Sequence, residues 1–401
     1  MLSRHSLTFS LLLGGLIAIP PVSTDLGLPA YGATAAALGV PEAAMTLTLS
    51  LFMAGFAAGP LFYGPFSERF GRRPVLLAGL WLYLASSLVC LFASSFTVLL
   101  AARLVQGFAA SSGTVLAIAA IRDLFNGAAG QRKISVVMII NGVAPLVAPT
   151  LGVGLLAMGG WRLGYGVMVV GGIALVASVS FGFAESIARR NPGALAPGAL
   201  WQGYRRVLLH PVSGRAALFN AFGFGALFTY ISGSPIVLIS HMGISQSGYG
   251  LIFAATATAT VGGTAVGMLL RRVRVGTQGL IRTGLLATLL ATAGLLGMNA
   301  FGVFRLELML PLMMLSNAGV GLAGPAASYA AVRDLPELAG FTSAVLTSAQ
   351  MLMAALASAL ASALFGLLGP AAMAAAMFGF ALLAGATYLA TPYGTAPQVR
   401  E

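Results

Sequence analysis

Charge is what this sequence has least of. Of its 401 residues, 7% are Asp, Glu, Lys or Arg, against about a quarter in an ordinary soluble domain. Hydrophobic residues make up 58%, and mean hydropathy is +0.95. A chain this apolar cannot clothe its surface in polar groups, so lipid must be the solvent for much of it. The single cysteine, Cys90, excludes an internal disulfide and a cysteine-rich metal site. His5, His210 and His241 are too dispersed for metal-ligand spacing, and no metal or other cofactor is expected. No Gly-x-x-x-x-Gly-Lys-Ser/Thr loop occurs, so ATP is not the energy source. Paired buried carboxylates, His–Ser or Cys–His sets and a large soluble domain are missing too, which argues against an enzyme or a receptor. The net charge of +12 falls in short clusters between apolar stretches, a pattern that fixes loop topology rather than one that binds nucleic acid.

What is present is a series of long apolar runs. About 20 such residues cross the hydrocarbon as a helix, and helices are expected because lipid leaves no other way to satisfy the backbone short of a closed barrel. Twelve runs qualify, at roughly 7–31, 43–64, 74–94, 97–120, 134–157, 163–184, 214–239, 247–270, 278–298, 307–331, 339–367 and 370–391. The first continues past Pro20–Pro21 with no cleavage site followed by a soluble domain, so it reads as a membrane helix and not as a signal peptide. The termini and even-numbered loops hold 18 of the 21 basic residues, from Arg4 to Arg400; Arg162 and Arg305 fall on the other side, and Arg103 inside a span. Both termini are therefore expected in the cytoplasm.

The longest polar stretch, 185–213, divides the chain into two six-helix halves, 1–184 and 214–401. The halves echo each other: Arg122-Asp123-Leu124 ends the fourth span and Arg333-Asp334-Leu335 the tenth, while Arg69, Arg72 and Arg73 follow the second and Arg271, Arg272 and Arg274 the eighth. Such internal repeats are a habit of secondary transporters.

Between the second and third spans runs Gly64-Pro65-Phe66-Ser67-Glu68-Arg69-Phe70-Gly71-Arg72-Arg73-Pro74. It resembles the loop signature of the major facilitator superfamily, with Glu68 where that family usually has Asp. Two glycines permit a sharp turn, and the acid suits a neighbouring helix N-terminus. The resemblance implies a latch that closes the cytoplasmic side, with Glu68 facing the start of the eleventh helix and Arg72 pairing with Asp123. In the fourth span, Arg103-Leu104-Val105-Gln106-Gly107 is similar to that family's Arg-x-x-Gln-Gly element. A charge inside a span is costly and faces a cavity or a partner. Asp25 is the clearest buried acid, and it and Arg103 each lie roughly 10 Å below the outer edge at about 1.5 Å per residue. The similar depth suggests that they are neighbours. Burial favours the neutral form of a carboxyl and a nearby arginine the charged form, so a carboxyl between the two influences suits a proton carrier that a substrate could displace. A permanent Asp25–Arg103 bridge holding helices together is the structural alternative.

Ser23-Thr24-Asp25-Leu26-Gly27-Leu28-Pro29-Ala30 is similar to the first-helix signature of the bicyclomycin/chloramphenicol-resistance group of drug–proton antiporters, as is Arg122-Asp123-Leu124-Phe125 after the fourth span. The fifth span carries Pro145 and Pro149, four apart, with Gly152 and Gly154 beyond them. It is similar to that group's antiporter motif, with Ala144 and Ala148 in place of the usual glycines, and its small residues suit close helix packing. The resemblance implies an all-α major facilitator fold, a monomer in the inner membrane, and efflux of lipophilic drugs against protons. The candidate proton-coupling residues are Asp25 and Arg103. The gating candidates are Gly64, Glu68, Arg69, Gly71, Arg72, Arg73 and Asp123. The second half offers no buried acid, Glu307 lying near an interface. Polar candidates for the substrate path are Tyr31, Asn141, Asn220, Tyr230, Asn317 and Gln350, all of which also suit helix-packing hydrogen bonds. Their apolar surroundings favour a lipophilic substrate. A carrier for a natural metabolite such as a sugar or an amino acid is the alternative.

Overall fold

A computed structural model describes residues 6–125, 127–303 and 305–391, so Arg4, His5 and Arg400 lie outside the described residues. Among the described residues there is no strand, and twelve helices are long and apolar enough to cross a membrane. They are α1 (Leu7–Leu38), α2 (Glu42–Phe70), α3 (Arg72–Leu91), α4 (Phe96–Leu124), α5 (Ala129–Gly159), α6 (Arg162–Gly182), α7 (Ser213–His241), α8 (Gln246–Arg272), α9 (Thr277–Ala300), α10 (Leu306–Arg333), α11 (Pro336–Leu368) and α12 (Ala371–Ala390). Each matches one expected run. The ends differ where helix continues into polar residues that hydropathy reads as loop. α2 includes Ser67-Glu68-Arg69-Phe70, so the turn to α3 shrinks to Gly71, whose φ of 105° suits glycine alone. Gly64 lies inside α2 and makes no turn. Beyond Asp25, α1 breaks through a 3-10 turn at Leu28–Ala30, resumes over Tyr31–Leu38 and ends on Gly39 at φ 66°. Ser6, Ser95 and Ser245 start α1, α4 and α8 by accepting backbone N–H bonds from Phe9, Val98 and Gly248.

Within each half, small residues let helix backbones touch. A Cβ on Gly55 would strike the Leu104 carbonyl and one on Gly107 the Phe52 carbonyl, so α2 and α4 meet without side chains between them. α8 and α10 meet the same way, with Gly263 against the Ala318 carbonyl and Gly321 against that of Thr260. Helices in lipid have little hydrophobic drive toward one another and depend on such packing. The repetition of this contact is the pseudo-symmetry of the halves in physical form.

An even number of spans puts both described ends and the segment between α6 and α7 on one face, the linker face. That segment carries a helix at Pro197–Leu209. The halves are joined mainly at the opposite, far face. There Ser50 Oγ donates to the Ala355 carbonyl at 2.7 Å, Ser362 Oγ to that of Ala43 at 3.0 Å, and Ser240 Oγ to Glu42 Oε2 at 2.6 Å. Tyr31, Met45, Tyr230, Leu238, Tyr249 and Met373 form one buried cluster across the same end. On the linker face the join runs through the linker helix. Tyr204 Oη donates to the Leu61 carbonyl of α2 at 3.0 Å, and its ring lies edge-on to Phe341 of α11 with centroids 5.0 Å apart.

Replacing Gly107 by alanine is expected to push α4 off α2 and destabilise the protein by about 1–3 kcal/mol, seen as earlier thermal unfolding in detergent. Gly154→Ala, where a Cβ meets nothing within 4 Å, is expected to leave the unfolding temperature unchanged.

Candidate functional site

A cavity of about 420 Å³ lies between the halves at mid-depth, lined by α1, α2, α4 and α5 from one side and α7, α8, α10 and α11 from the other. Its wall is mostly apolar, with Met53, Phe56, Met138, Phe224, Phe228, Phe253 and Met351 prominent. These residues went unnoticed in the sequence because nothing separates them there from other core or lipid-facing residues. Pro20 and Pro21 of α1 and Pro145 of α5 also line it. The proline ring removes a backbone donor and loosens the helix at those points.

Asp25 is the one carboxyl in this wall, which holds no basic residue. It ends the first straight segment of α1, is 4% exposed, and accepts a 2.8 Å hydrogen bond from Thr24 Oγ1. The Asp25–Arg103 bridge, the structural alternative, is not formed, since the ion pairs among the described residues are Arg72–Asp123, Arg206–Glu337 and Arg333–Asp334. Arg103 turns instead toward α2 and its own helix. Its Nη1 donates to Gln106 Oε1 at 2.7 Å and its Nε to the Thr48 carbonyl at 3.4 Å, and its guanidinium stands 4.4 Å from the Phe52 ring centre. Gln106 Nε2 in turn donates to Ser87 Oγ at 2.8 Å. Rise per residue fixes depth but not the direction in which a side chain leaves its helix, and here the direction decides. Arg103 and Tyr31 line a separate cavity of about 30 Å³ within the first half. Thr24 borders both cavities and is the side chain between them. The only sequence signal for Thr24 was its place beside Asp25.

Of the six polar candidates, Asn141, Tyr230 and Asn317 line the central cavity with Asp25. Tyr31 belongs to the far-face cluster. Asn220 and Gln350 are absent from the wall and bond to each other: Gln350 Nε2 donates to Asn220 Oδ1 at 3.0 Å, and Asn220 Nδ2 to Ser328 Oγ at 2.6 Å. They tie α7, α10 and α11 together. Pro149 is buried. Gly152 packs against the Leu26 carbonyl, where α1 breaks, whereas Gly154 faces open space and packs against nothing.

The charged residues between α2 and α3 form a brace inside the first half. Arg72 Nε donates to Asp123 Oδ2 at 2.9 Å, as expected, and its Nη1 to Ser67 Oγ at 2.6 Å. Glu185, read in sequence as linker, accepts the backbone N–H groups of Arg72 at 2.9 Å and Arg73 at 3.3 Å, placing a carboxylate on the N-terminus of α3. A Cβ on Gly71 would come within 2.5 Å of that carboxylate. Ser186 Oγ donates to Asp123 at 3.1 Å, and Arg73 Nη2 donates to the Ser180 carbonyl at 2.6 Å, which binds the end of α6 into the same network. Arg69 stacks on Phe70 at 5.4 Å. Glu68 is exposed rather than set against α11. Its charge, together with burial, pushes the Tyr204 phenol of the linker helix above its ordinary range, burial being the larger cause. The second half does not repeat the brace, because Asp334 is bonded by its own neighbour Arg333 at 2.8 Å and Arg271 lies over Tyr329 at 5.3 Å.

Two helical halves around one cavity that neither half could form alone define a carrier. Residues 8–358 match the Major Facilitator Superfamily, and the chain belongs to that family of membrane transporters, which are not enzymes. It is 31% identical over 354 residues to the "Chloramphenicol resistance protein" of Pseudomonas aeruginosa, covering 85% of this chain and 81% of that one. It is also 31% identical over 305 residues to the "Uncharacterized MFS-type transporter YdgK" of Bacillus subtilis, covering 74% of each. To the "Bicyclomycin resistance protein homolog" of Haemophilus influenzae it is 31% identical over 251 residues, 62% of this chain and 63% of that one. Among solved structures, a bacterial homolog of the lysosomal transporter Spinster in an inward-facing, occupied conformation superposes with TM-score 0.74 at 16% identity over 96% of this chain and 97% of that one. A D-xylose-proton symporter superposes with TM-score 0.70 at 16% identity over 94% and 97%. These two likenesses concern the fold.

If Glu185 caps α3, Glu185→Ala is expected to lower the unfolding temperature, and Glu185→Gln, which keeps one accepting oxygen, to lower it less. Equal unfolding of both variants and the parent protein would remove the cap.

Proposed function

We propose that this protein exports lipophilic drugs in exchange for protons by alternating access, with Asp25 as the site that protons and substrate share. The observation that carries this reading is the central cavity, mostly apolar, bounded by both halves and holding a single carboxyl. Its volume suits a drug-sized molecule, such sites spanning about 300–1,000 Å³. An ionisable group in a membrane interior is costly to keep and marks an ion or substrate path. The names of the relatives from Pseudomonas aeruginosa and Haemophilus influenzae agree with drug export.

The two moving bodies are 1–184 and 214–401, with 185–213 as the linker, acting as a monomer in the inner membrane. The basic residues of the linker-face loops hold that face and both termini in the cytoplasm. On this orientation the closed far face is external and the arrangement is inward-facing. Closing the linker face would bring Glu68 at the end of α2 toward the start of α11, the latch expected of the loop signature. Meanwhile the Arg72–Asp123–Glu185 brace would keep the first half moving as one piece. Arg103 sits in its own small cavity behind Thr24, bonded to Gln106 and the Thr48 carbonyl and out of contact with Asp25.

A carrier of natural metabolites is the second reading. It is less favoured because most of the wall's surface is apolar and several of its hydroxyls are bonded to the protein. Proton release on adding chloramphenicol or tetraphenylphosphonium to purified protein separates the two. Release is expected from the wild type and none from Asp25→Asn, which should remain folded and membrane-inserted. A wild type that releases no proton with any of several drugs, or an Asp25→Asn variant that exports them at the normal rate, overturns the reading.

A further inference from the structure

One side of the central cavity does not treat hydrogen-bond donors and acceptors alike. On the α7–α8–α10 side of the wall, the hydroxyl protons are already spent on the protein. Thr256 Oγ1 donates to the Phe253 carbonyl at 2.9 Å, so the Tyr230 hydroxyl, 2.7 Å away, is the donor to Thr256. Thr260 Oγ1 donates back to the Thr256 carbonyl at 3.4 Å. Asn317 lies at the meeting point of these groups and is 2% exposed. Its Nδ2 donates to the Thr256 carbonyl at 3.4 Å, which fixes the orientation of the amide, because a carbonyl can only accept. Its Oδ1 receives no hydrogen bond from the protein. A buried amide oxygen without a donor is costly, and this one belongs to a residue that borders the cavity.

We propose that Asn317 Oδ1 is a substrate-recognition site in the second half, which accepts a hydrogen bond from a hydroxyl or amide N–H of the transported molecule. This deepens the export reading and rests on it. The two halves would then read different features. Asp25 in the first half favours positive charge or a proton, and Asn317 in the second favours a neutral donor. A ligand with either feature can enter, and one with both is held by both halves. No basic residue lines the cavity, so a molecule with a carboxylate or phosphate has no counter-charge there.

Two probes separate the features. Chloramphenicol is uncharged and carries hydroxyl and amide donors, whereas tetraphenylphosphonium is cationic and carries none. Equilibrium binding to purified protein is expected to show Asn317→Leu binding chloramphenicol roughly five- to tenfold more weakly, the worth of one buried hydrogen bond, with tetraphenylphosphonium affinity unchanged. Unchanged binding of the cation also shows that the variant is folded. Asn317→Asp keeps an accepting oxygen in the same place and is expected to retain chloramphenicol binding. Should Asn317→Leu not fold, loss of chloramphenicol affinity in Asn317→Asp overturns the proposal by itself. Equal weakening of both probes in folded Asn317→Leu, or no weakening of either, also overturns it and leaves drug export standing. A wild type that binds neither probe sinks the export reading and this proposal together.

Discussion

Within lipid, a polar group has only the protein to bond with, and nearly every feature of this structure answers to that constraint. It makes the spans helical. It makes serine and threonine side chains fold back on their own helices, as Ser87 does on Tyr83 and Thr292 on Thr288. It surrounds Arg103, which would be prohibitive in hydrocarbon, with a glutamine oxygen, a backbone carbonyl and an aromatic face. Against that background the groups left incompletely bonded stand out, and the central cavity holds several. Asp25 has one neighbouring hydroxyl, and Thr114 Oγ1 and Asn317 Oδ1 have no partner. Such groups are expected where a ligand, a proton or water completes the bonding.

The same constraint leaves one interface at which the proposed alternation would take place. Each half is welded by backbone-to-backbone glycine contacts and, in the first half, by the Arg72–Asp123–Glu185 brace. Side-chain hydrogen bonds between the halves are few. Among the described residues, those of Ser50, Ser362 and Ser240 lie toward the far face, and that of Tyr204 runs through the linker helix. Rigid bodies joined by a small number of exchangeable contacts favour rocking over internal deformation.

The sequence disclosed the fold well because apolar length is a direct physical requirement of the bilayer, and the twelve runs became twelve helices with ends moved by up to about two turns. It disclosed Asp25 for the same reason, since a lone acid in a span is conspicuous. It was weaker on neighbours. Depth suggested that Asp25 and Arg103 are neighbours, but it says nothing of side-chain direction, and Arg103 bonds to Gln106 and the Thr48 carbonyl instead of Asp25. Gly64 resembled a turn glycine and is helical, and Gly154 resembled a packing glycine and faces open space. Asn220 and Gln350 are as polar as Asn317 but find each other instead of the cavity. Glu185 looked like linker, because its partners, the N–H groups of Arg72 and Arg73, come within reach only after folding. Which side chain borders a cavity is a property of six or eight helices at once, and no local pattern encodes it.

The central claim is that the charge state of Asp25 is coupled to which face the halves close. Spin labels at positions 70 and 340, at the linker-face ends of α2 and α11, with the native Cys90 replaced by alanine, would report that face by pulsed electron–electron distance measurement in lipid. The distance distribution is expected to shift between acidic and alkaline pH with Asp25 present and to become insensitive to pH in Asp25→Asn. A pH-dependent shift that survives unchanged in Asp25→Asn would contradict the account.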